Sequence, residues 1–534
     1  MDSKFLWWRD GIIYQIYPRS FCDSNQDGIG DLNGITSKLD YLAELGIDAI
    51  WLSPIYPSPD ADFGYDVSDY CAIDPKFGTM ADFDHLLAEA HKRNIRLIMD
   101  LVLNHTSDQH AWFKESRSSR GNPFRDWYLW RDPSPKGGRP NNWQSCFGGS
   151  GWEYDPPTGQ YYFHMFYKEQ PDLNWRNPTV RQTLLGIFRF WLDMGVDGFR
   201  LDVFNAYFKD PSFKDNPPAW GLRGFDRQNH VYDTDQPEMY PLLAEIREIV
   251  DNYPEKYIVG ETFMSTPEKA AQYVGKNHLH AAFNFKFQEC KWNAGCFFNV
   301  MQRWQQVLGE ENWPNYVLNN HDVRRSATRY GRGEDDERLK VAAAMLLTLQ
   351  GTPFLYYGEE IGMRDIPISR HEIQDPVGKH YWPFFKGRDG CRSPMQWDQS
   401  TFSGFSTTQP WLKLHQNYSG RNVAIQQDDP NSLLNFYIQL IKIRKSYPVL
   451  QNGMFISLTY DPQTLLGYLR QNSEQTILVG LNFSRKTNKL VLSGSLLRSG
   501  WELLISNKRS EIGKMEKGYL ALAPEEALVM IQKE

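Results

Sequence analysis

Cysteine is scarce in this chain. Six residues (Cys22, Cys71, Cys146, Cys290, Cys296 and Cys391) are scattered over 534 positions, none in CxxC spacing. That excludes a disulfide framework and a cysteine metal site, and it suits reduced thiols in a cytoplasmic protein. Long apolar runs are missing too: no stretch approaches the roughly 18 uninterrupted residues of a membrane helix. The opening MDSKFLWWRDGIIYQIYPRS has no basic start, long apolar core or small-residue cleavage site, so it does not read as a signal peptide. Runs of one charge are absent. With 58 basic and 65 acidic residues the net charge is −7, which argues against nucleic acid or an anionic membrane as main partner. There is no HExxH or similar paired-ligand spacing for a transition metal. Internal repeats, low-complexity tracts and flexible linkers are lacking as well.

What is present is an ordinary globular composition, 41% hydrophobic and 23% charged, with many aromatics: 18 Trp, 28 Tyr and 31 Phe. These fill a large core or supply flat platforms for a sugar. The length exceeds one ordinary core and implies two or three domains. Short apolar runs at 12–18, 49–53, 96–103, 198–202, 257–261, 281–285, 316–320 and 353–358 alternate with amphipathic helical stretches. Eight strands separated by helices predict an α/β fold, a (β/α)8 TIM barrel with right-handed crossovers. Roughly 95 residues separate runs three and four, too many for one connection. The Gly-, Pro-, Trp- and Tyr-rich piece 105–170 is therefore expected to be an inserted domain, with the barrel spanning 1–104 and 171–452. From 453 to 534, short alternating runs broken by turn residues at about ten-residue intervals predict a C-terminal antiparallel β-sandwich.

Three of the barrel runs end in acids: GFRLD at Asp202, YIVGE at Glu261 and YVLNNHD at Asp322. Each acid could cap the next helix. Together they mark the C-terminal face of a barrel, where such enzymes carry their chemistry. Arg200 lies two residues before Asp202, on the same face of its strand, and can hold that acid ionised as a nucleophile. Glu261, after an apolar strand, suits a proton donor of raised pKa. One nucleophilic and one acidic carboxyl is the pairing of a retaining glycosidase, and a third acid can bind the hydroxyls of a distorted ring. His105 in VLNH and His321 in NNHD sit at strand ends, where a structural role competes with binding of sugar hydroxyls.

Four separated motifs, DLVLNH (100–105), GFRLD (198–202), GET (260–262) and NNHD (319–322), resemble those of glycoside hydrolase family thirteen, the α-amylase superfamily, in order and strand placement. The resemblance implies nucleophile Asp202, general acid/base Glu261 and transition-state stabiliser Asp322. It also places His105, Arg200 and His321 among residues binding the sugar. WWRDGIIYQIYPRSF, DFGYDVSDY (62–70) and RDGCRSPMQWD (388–398) resemble the exo-acting α-glucosidases and oligo-1,6-glucosidases. That likeness implies that Asp62 and Arg392 grip a terminal glucose stacked on Tyr65, so the enzyme trims α-glucose from chain ends by double displacement.

The linkage cues conflict: Val203, next to the nucleophile, resembles α-1,6-preferring relatives, whereas Tyr207 in FNAYFKD resembles α-1,4-preferring ones. A glucosyl transferase, a sucrose isomerase of the trehalulose type or a trehalose synthase would use the same triad. A non-catalytic amylase-like scaffold is the alternative from another class, disfavoured because all three acids are kept. In DSNQDGIGD (23–31), Asp23, Asn25, Asp27, the Ile29 carbonyl and Asp31 present oxygens at alternate positions, like an EF-hand loop lacking its last Glu. The resemblance to oligo-1,6-glucosidases implies a structural Ca²⁺ or Mg²⁺ there. No organic cofactor is expected. The expected partner is a small oligosaccharide, and the expected state a monomer or homodimer.

Overall fold

The computed structural model describes residues 5–533 apart from 462, 493–495, 497–499 and 513–517, and excludes the side chains of 459 and 460. All the excluded internal positions fall in the expected C-terminal unit. The first barrel strands are β1 (Ile13–Ile16), β2 (Ala49–Leu52) and β3 (Arg96–Leu101). The long connection after β3 folds its own antiparallel sheet from β4 (Trp130–Arg131), β5 (Trp152–Asp155) and β6 (Gln160–Phe163), in the order β4-β6-β5. The barrel resumes with β7 (Gly198–Leu201), β8 (Tyr257–Gly260), β9 (Ala281–Ala282), β10 (Asn315–Val317) and β11 (Thr352–Tyr356). These eight strands pair in parallel in the order β10-β11-β1-β2-β3-β7-β8-β9.

Among the described residues no ladder joins β9 to β10, so the barrel has one seam. The expected sixth strand over 281–285 stops at Ala282. Asn284 accepts a hydrogen bond from the backbone N–H of Lys286 and caps the helix Phe285–Glu289 instead.

Alternation along the strands sorts the side chains into two environments. Ile13, Ala49, Trp51, Ile98, Tyr257, Val259, Ala281, Val317 and Phe354 form one buried apolar cluster inside the barrel. Their neighbours on the other face, such as Phe199, pack outward against the helices; its ring meets Phe188 of the helix Pro178–Asp193 at 5.3 Å. That helix is capped by Asn177 and presents Val180, Leu184, Phe188 and Trp191 to the sheet, the spacing of one helical face. Close to the C-terminal end of the strands the interior turns polar, with Gln15, Asp100 and Arg200 at inward positions, each about 1% exposed. An apolar floor beneath a polar upper layer leaves chemistry to one end only.

The C-terminal unit begins with β12 (Met454–Asp461), β13 (Leu465–Gln471), β14 (Thr476–Asn482) and β15 (Asn488–Val491). It continues with β16 (Trp501–Ser506), β17 (Tyr519–Leu522) and β18 (Ala527–Gln532). An antiparallel sheet β12-β13-β14-β18-β16 faces the two-stranded sheet β15-β17. Gly480 lies where they pack closely: a Cβ there would sit 3.0 Å from Leu522 and 3.2 Å from Leu490. Arg470, fully buried, donates to the carbonyls of Thr348, Leu450 and Gly453 and ties this unit to the barrel helices.

Candidate active site

Strand register assembles the site. Asp100 on β3 is the register partner of Arg200 on β7, and Leu201 is that of Gly260 on β8. The ladders run one residue further, Asp202 N–H donating to Leu101 and Glu261 N–H to Leu201. Asp202 and Glu261 thus emerge side by side, one step beyond adjacent strands. Gly260 is required just below them, because a Cβ there would lie 2.4 Å from Phe204 and 2.5 Å from Leu279.

Arg200 organises the acids. Its Nη1 donates to Asp100 Oδ1 at 2.7 Å and Asp202 Oδ1 at 2.5 Å, and its Nη2 to Glu261 Oε2. The guanidinium lies 5.3 Å from the Trp51 ring, in a cation–π contact that helps to hold it in place. Burial pushes the Glu261 carboxyl well above its usual range. Arg200 opposes that, while the charges of Asp202 and Asp322 and a hydrogen bond shared with Asp202 reinforce it. Asp322 goes the other way: burial would raise it, but His321, Arg388, Arg392 and Arg200 together hold it well below the carboxylate range. Glu261 and Asp322 are therefore electrostatically unlike, which sequence alone could only anticipate.

The two histidines are neutral for the same reason, since burial disfavours the imidazolium; His321 is pushed down to about 3. Gln15 Nε2 donates to His321 Nδ1 at 2.8 Å, so the ring proton sits on Nε2, 2.7 Å from the Tyr65 hydroxyl and 3.2 Å from Asp322 Oδ2. Tyr65 in turn donates to Asp100 Oδ2 at 3.0 Å and stacks on His321 at 5.3 Å, nearly parallel. His105 donates from Nε2 to the Tyr65 carbonyl at 2.9 Å. One connected network therefore runs from Gln15 through His321 and Tyr65 to Asp100 and Arg200.

These groups wall a cavity of about 300 Å³ that takes in Asp62, Tyr65, His105, Asp202, Val203, Glu261, His321 and Asp322. Two expected members stand outside the lining, Arg200 beneath the acids and Arg392. Arg392 is fully buried behind the wall, donating to the His321 carbonyl at 2.8 Å and Asp322 Oδ1 at 2.9 Å. The side chain that crosses to Asp62 is Arg388, at 2.6 Å, anchored from below by Asp375 at 2.9–3.0 Å. Residues Asp389–Arg392 form a single tight helical turn that carries Arg392 inward and leaves Arg388 at the cavity. Both arginines belong to RDGCR, so spacing could not choose between them. Gln170, contributed by the long insertion, also reaches Asp62 at 3.3 Å. Phe147, Phe166, Phe263, Phe285 and Phe385 complete an aromatic mouth, with no motif to announce it.

Val203 lines the cavity in the left-handed region (φ 34°, ψ 39°), a strained backbone for a β-branched residue. Tyr207 does not reach the cavity; it stacks on Trp175 at 4.7 Å in the adjoining core.

The loop 23–31 folds on itself. Asp23 accepts from the N–H groups of Asn25, Gln26 and Gly28 and from Ser406, and Asp27 from Ile29. Both oxygens of Asp31 are taken by Ser24 and by Gly34, where it caps the helix Leu32–Thr36. Among the described residues no three His, Cys, Asp or Glu side chains gather in a metal-like group. The oxygens of Asp23, Asn25 and Asp27 are likewise engaged within the loop; together with Asp31 and the Ile29 carbonyl they offer oxygen donors only, the chemistry of a hard cation.

Residues 15–453 match the model of the α-amylase catalytic domain. The chain belongs to the α-amylase family. It is 44% identical to a probable alpha-glucosidase of Rhizobium meliloti over 90% of this chain and 89% of that one. With an oligo-1,6-glucosidase of Parageobacillus thermoglucosidasius it shares 42% identity over 94% and 95% of the two chains. The crystal structure of an alpha-glucosyl transfer enzyme, XgtA, superposes with a TM-score of 0.93 at 41% identity, covering 99% of this chain and all of that one. The α-amylase family's barrel and antiparallel C-terminal sheets are those described above. No helix among the described residues is long and apolar enough to cross a membrane.

Proposed function

We propose that the protein is a retaining exo-α-glucosidase that releases α-glucose from the non-reducing end of short α-glucosides. The observation that carries this reading is the single guanidinium of Arg200 holding both Asp202 and Glu261, which share a hydrogen bond. Carboxyls that close leave no room for the intervening water of an inverting enzyme, whose pair stands about 6.5–9.5 Å apart. Asp202 attacks the anomeric carbon while Glu261, which keeps its proton through burial, donates it to the leaving oxygen. Glu261 then takes a proton from water, and the glycosyl ester on Asp202 is hydrolysed with net retention. Asp322, held ionised, stabilises the positive charge of the oxocarbenium-like transition state and binds ring hydroxyls together with neutral His321.

The Asp62–Arg388 pair closes the cavity behind one sugar, stacked on Tyr65, and so selects chain ends. Only one of the two linkage cues lines the cavity, Val203, and it favours α-1,6 bonds. The five phenylalanines at the mouth, with the likeness to a glucosyl transfer enzyme, support a second reading in which a sugar hydroxyl replaces water. A Ca²⁺ or Mg²⁺ held by Asp23, Asn25, Asp27 and the Ile29 carbonyl would brace the first loop, away from the chemistry.

The test is Asp202→Asn, expected to lower glucose release from the preferred disaccharide by about 10⁴-fold or more. Unchanged release would sink the assignment. Initial rates on maltose, isomaltose, sucrose and trehalose, with products separated by chromatography, decide linkage and acceptor. Transfer products at low substrate concentration would favour the second reading.

A further inference from the structure

Two adjacent acids beyond β11, Glu359 and Glu360, are 4% and 0% exposed and take no part in the chemistry above. Hydroxyl and amide donors, not cations, meet their oxygens. Glu360 Oε1 accepts from Tyr14 at 2.8 Å and Tyr41 at 2.6 Å and is bound up in the outer core. Glu359 points the other way: its Oε2 accepts from Asn319 Nδ2, and its Oε1 meets the Tyr437 hydroxyl at 3.2 Å.

Asn319 opens the loop that carries His321 and Asp322, and its Oδ1 accepts from the N–H of Ser326 at 3.1 Å, where the next helix begins. Its side chain spans the loop like a bar, with one end on Ser326 and the other on Glu359. Inside that bar, Asn320 Oδ1 accepts from the N–H of Asp322 at 2.9 Å and sets the turn. From the far side Arg392 grips both the His321 carbonyl and Asp322.

We propose that Glu359 is a positioning residue for Asp322: through Asn319 it fixes the loop against β11 and the helix Leu433–Ser446, so that Asp322 meets the developing charge in register. This rests on Asp322 acting as the transition-state stabiliser. Asp322 touches the sugar; Glu359 does not.

The protonation of Glu359 fits such a role. Burial and the charge of Glu360 push it up to about 8, against the hydrogen bonds from Tyr437 and Asn319. Glu360, Tyr437 and Asn319 are the groups facing it, and all are neutral or acidic. At neutral pH Glu359 is thus an uncharged clamp. As pH rises through 8 it becomes a buried anion with no cation to offset it, and the cost of burying that charge acts against the closed clamp.

Three variants test this. Glu359→Ala is expected to lower kcat and kcat/KM together, by about 10- to 50-fold, with KM changed less than twofold, because a group felt mainly in the transition state is displaced. Glu359→Gln keeps both hydrogen bonds without a charge. It should restore kcat to within threefold at pH 7 and move the alkaline fall of kcat upward. If Glu359→Ala does not fold, Asn319→Ala cuts the same connection from the loop side and should give the same kcat-only loss. The proposal is overturned if folded Glu359→Ala, or Asn319→Ala in its place, keeps wild-type kcat, or if Glu359→Gln leaves the alkaline fall where it was. An inactive Asp322→Asn beside a fully active Glu359→Ala would refute the positioning role alone; an active Asp322→Asn would refute the reading beneath it.

Discussion

Replacing Arg200 by Lys keeps the charge and removes the fork, which isolates what the fork does. Two terminal nitrogens serve three carboxylates, Asp100, Asp202 and Glu261, in a site where Arg200 is 1% exposed. One ammonium on a flexible stem cannot reach all three with the geometry of the fork. Losing a charge-assisted hydrogen bond costs about 1.5–3 kcal/mol, and stranding a buried charge about 3–5 kcal/mol. Because lysine keeps its charge nearby, about 3 kcal/mol is the appropriate figure, or roughly 10²-fold in kcat/KM. The sign of the pH effect follows as well. Arg200 lowers Glu261 against burial, so a poorer contact lets Glu261 hold its proton to higher pH, and the basic limb of kcat/KM moves up. Steady-state rates from pH 5 to 10 on the preferred disaccharide, with circular dichroism to verify folding, measure both. A folded Arg200→Lys within threefold of wild type, its basic limb unmoved, would refute the idea that one guanidinium sets the protonation of the acids.

Arg388→Gln should weaken substrate binding, raising KM about tenfold or more with a smaller change in kcat; an equal effect from a variant that spares Asp62–Arg388 would remove that pair's role. Gly260→Ala forces a methyl against Phe204 and Leu279 and should cost about 1–3 kcal/mol in urea unfolding; an unshifted midpoint would show that the strand end is looser than its contacts imply. Val203→Thr should raise the maltose-to-isomaltose rate ratio, and a constant ratio would clear Val203 of any part in linkage choice. Added calcium should raise the melting temperature saturably, by the equivalent of about 2.7 kcal/mol at a hundred times its Kd, and Asp27→Ala should abolish this without altering KM; an indifferent wild type would leave the loop as a polar turn.

The chemistry-bearing strands were legible because parallel strands of a barrel read as short apolar runs, and a carboxylate at the end of such a run is conspicuous. Asp202, Glu261 and Asp322 stand out for that reason, and strand register places Asp202 beside Glu261. The Asp62–Arg388 pair was not legible, since it joins residues 326 positions apart and depends on which of two nearby arginines a helical turn carries inward. The sixth strand was overread because AAFNF is apolar throughout, while Asn284, its one polar residue, ends the strand by capping a helix. In the C-terminal unit every alternating run formed a strand, and Tyr519–Leu522 escaped notice because YLAL is short and follows a polar stretch. The aromatic mouth was invisible for a different reason: its five phenylalanines come from four separate connections and share a location only after folding.

The seam between β9 and β10 bears on how such a molecule can change over generations. Seven ladders lock the strands that carry the acids, and the eighth junction is filled by side chains such as Phe287 against Tyr316, 4.8 Å apart. The segments issuing from its two sides supply Phe285 and Gln288 on one and Asn320 on the other, all part of the cavity wall. Insertions or exchanges on the β9 side rewrite what the mouth admits, yet break no backbone hydrogen bond beneath Asp202 or Glu261 and leave the turn that carries His321 and Asp322 in place. A lineage can thus hold its reaction constant while its choice of partner drifts, and the unsewn joint is where that freedom is kept.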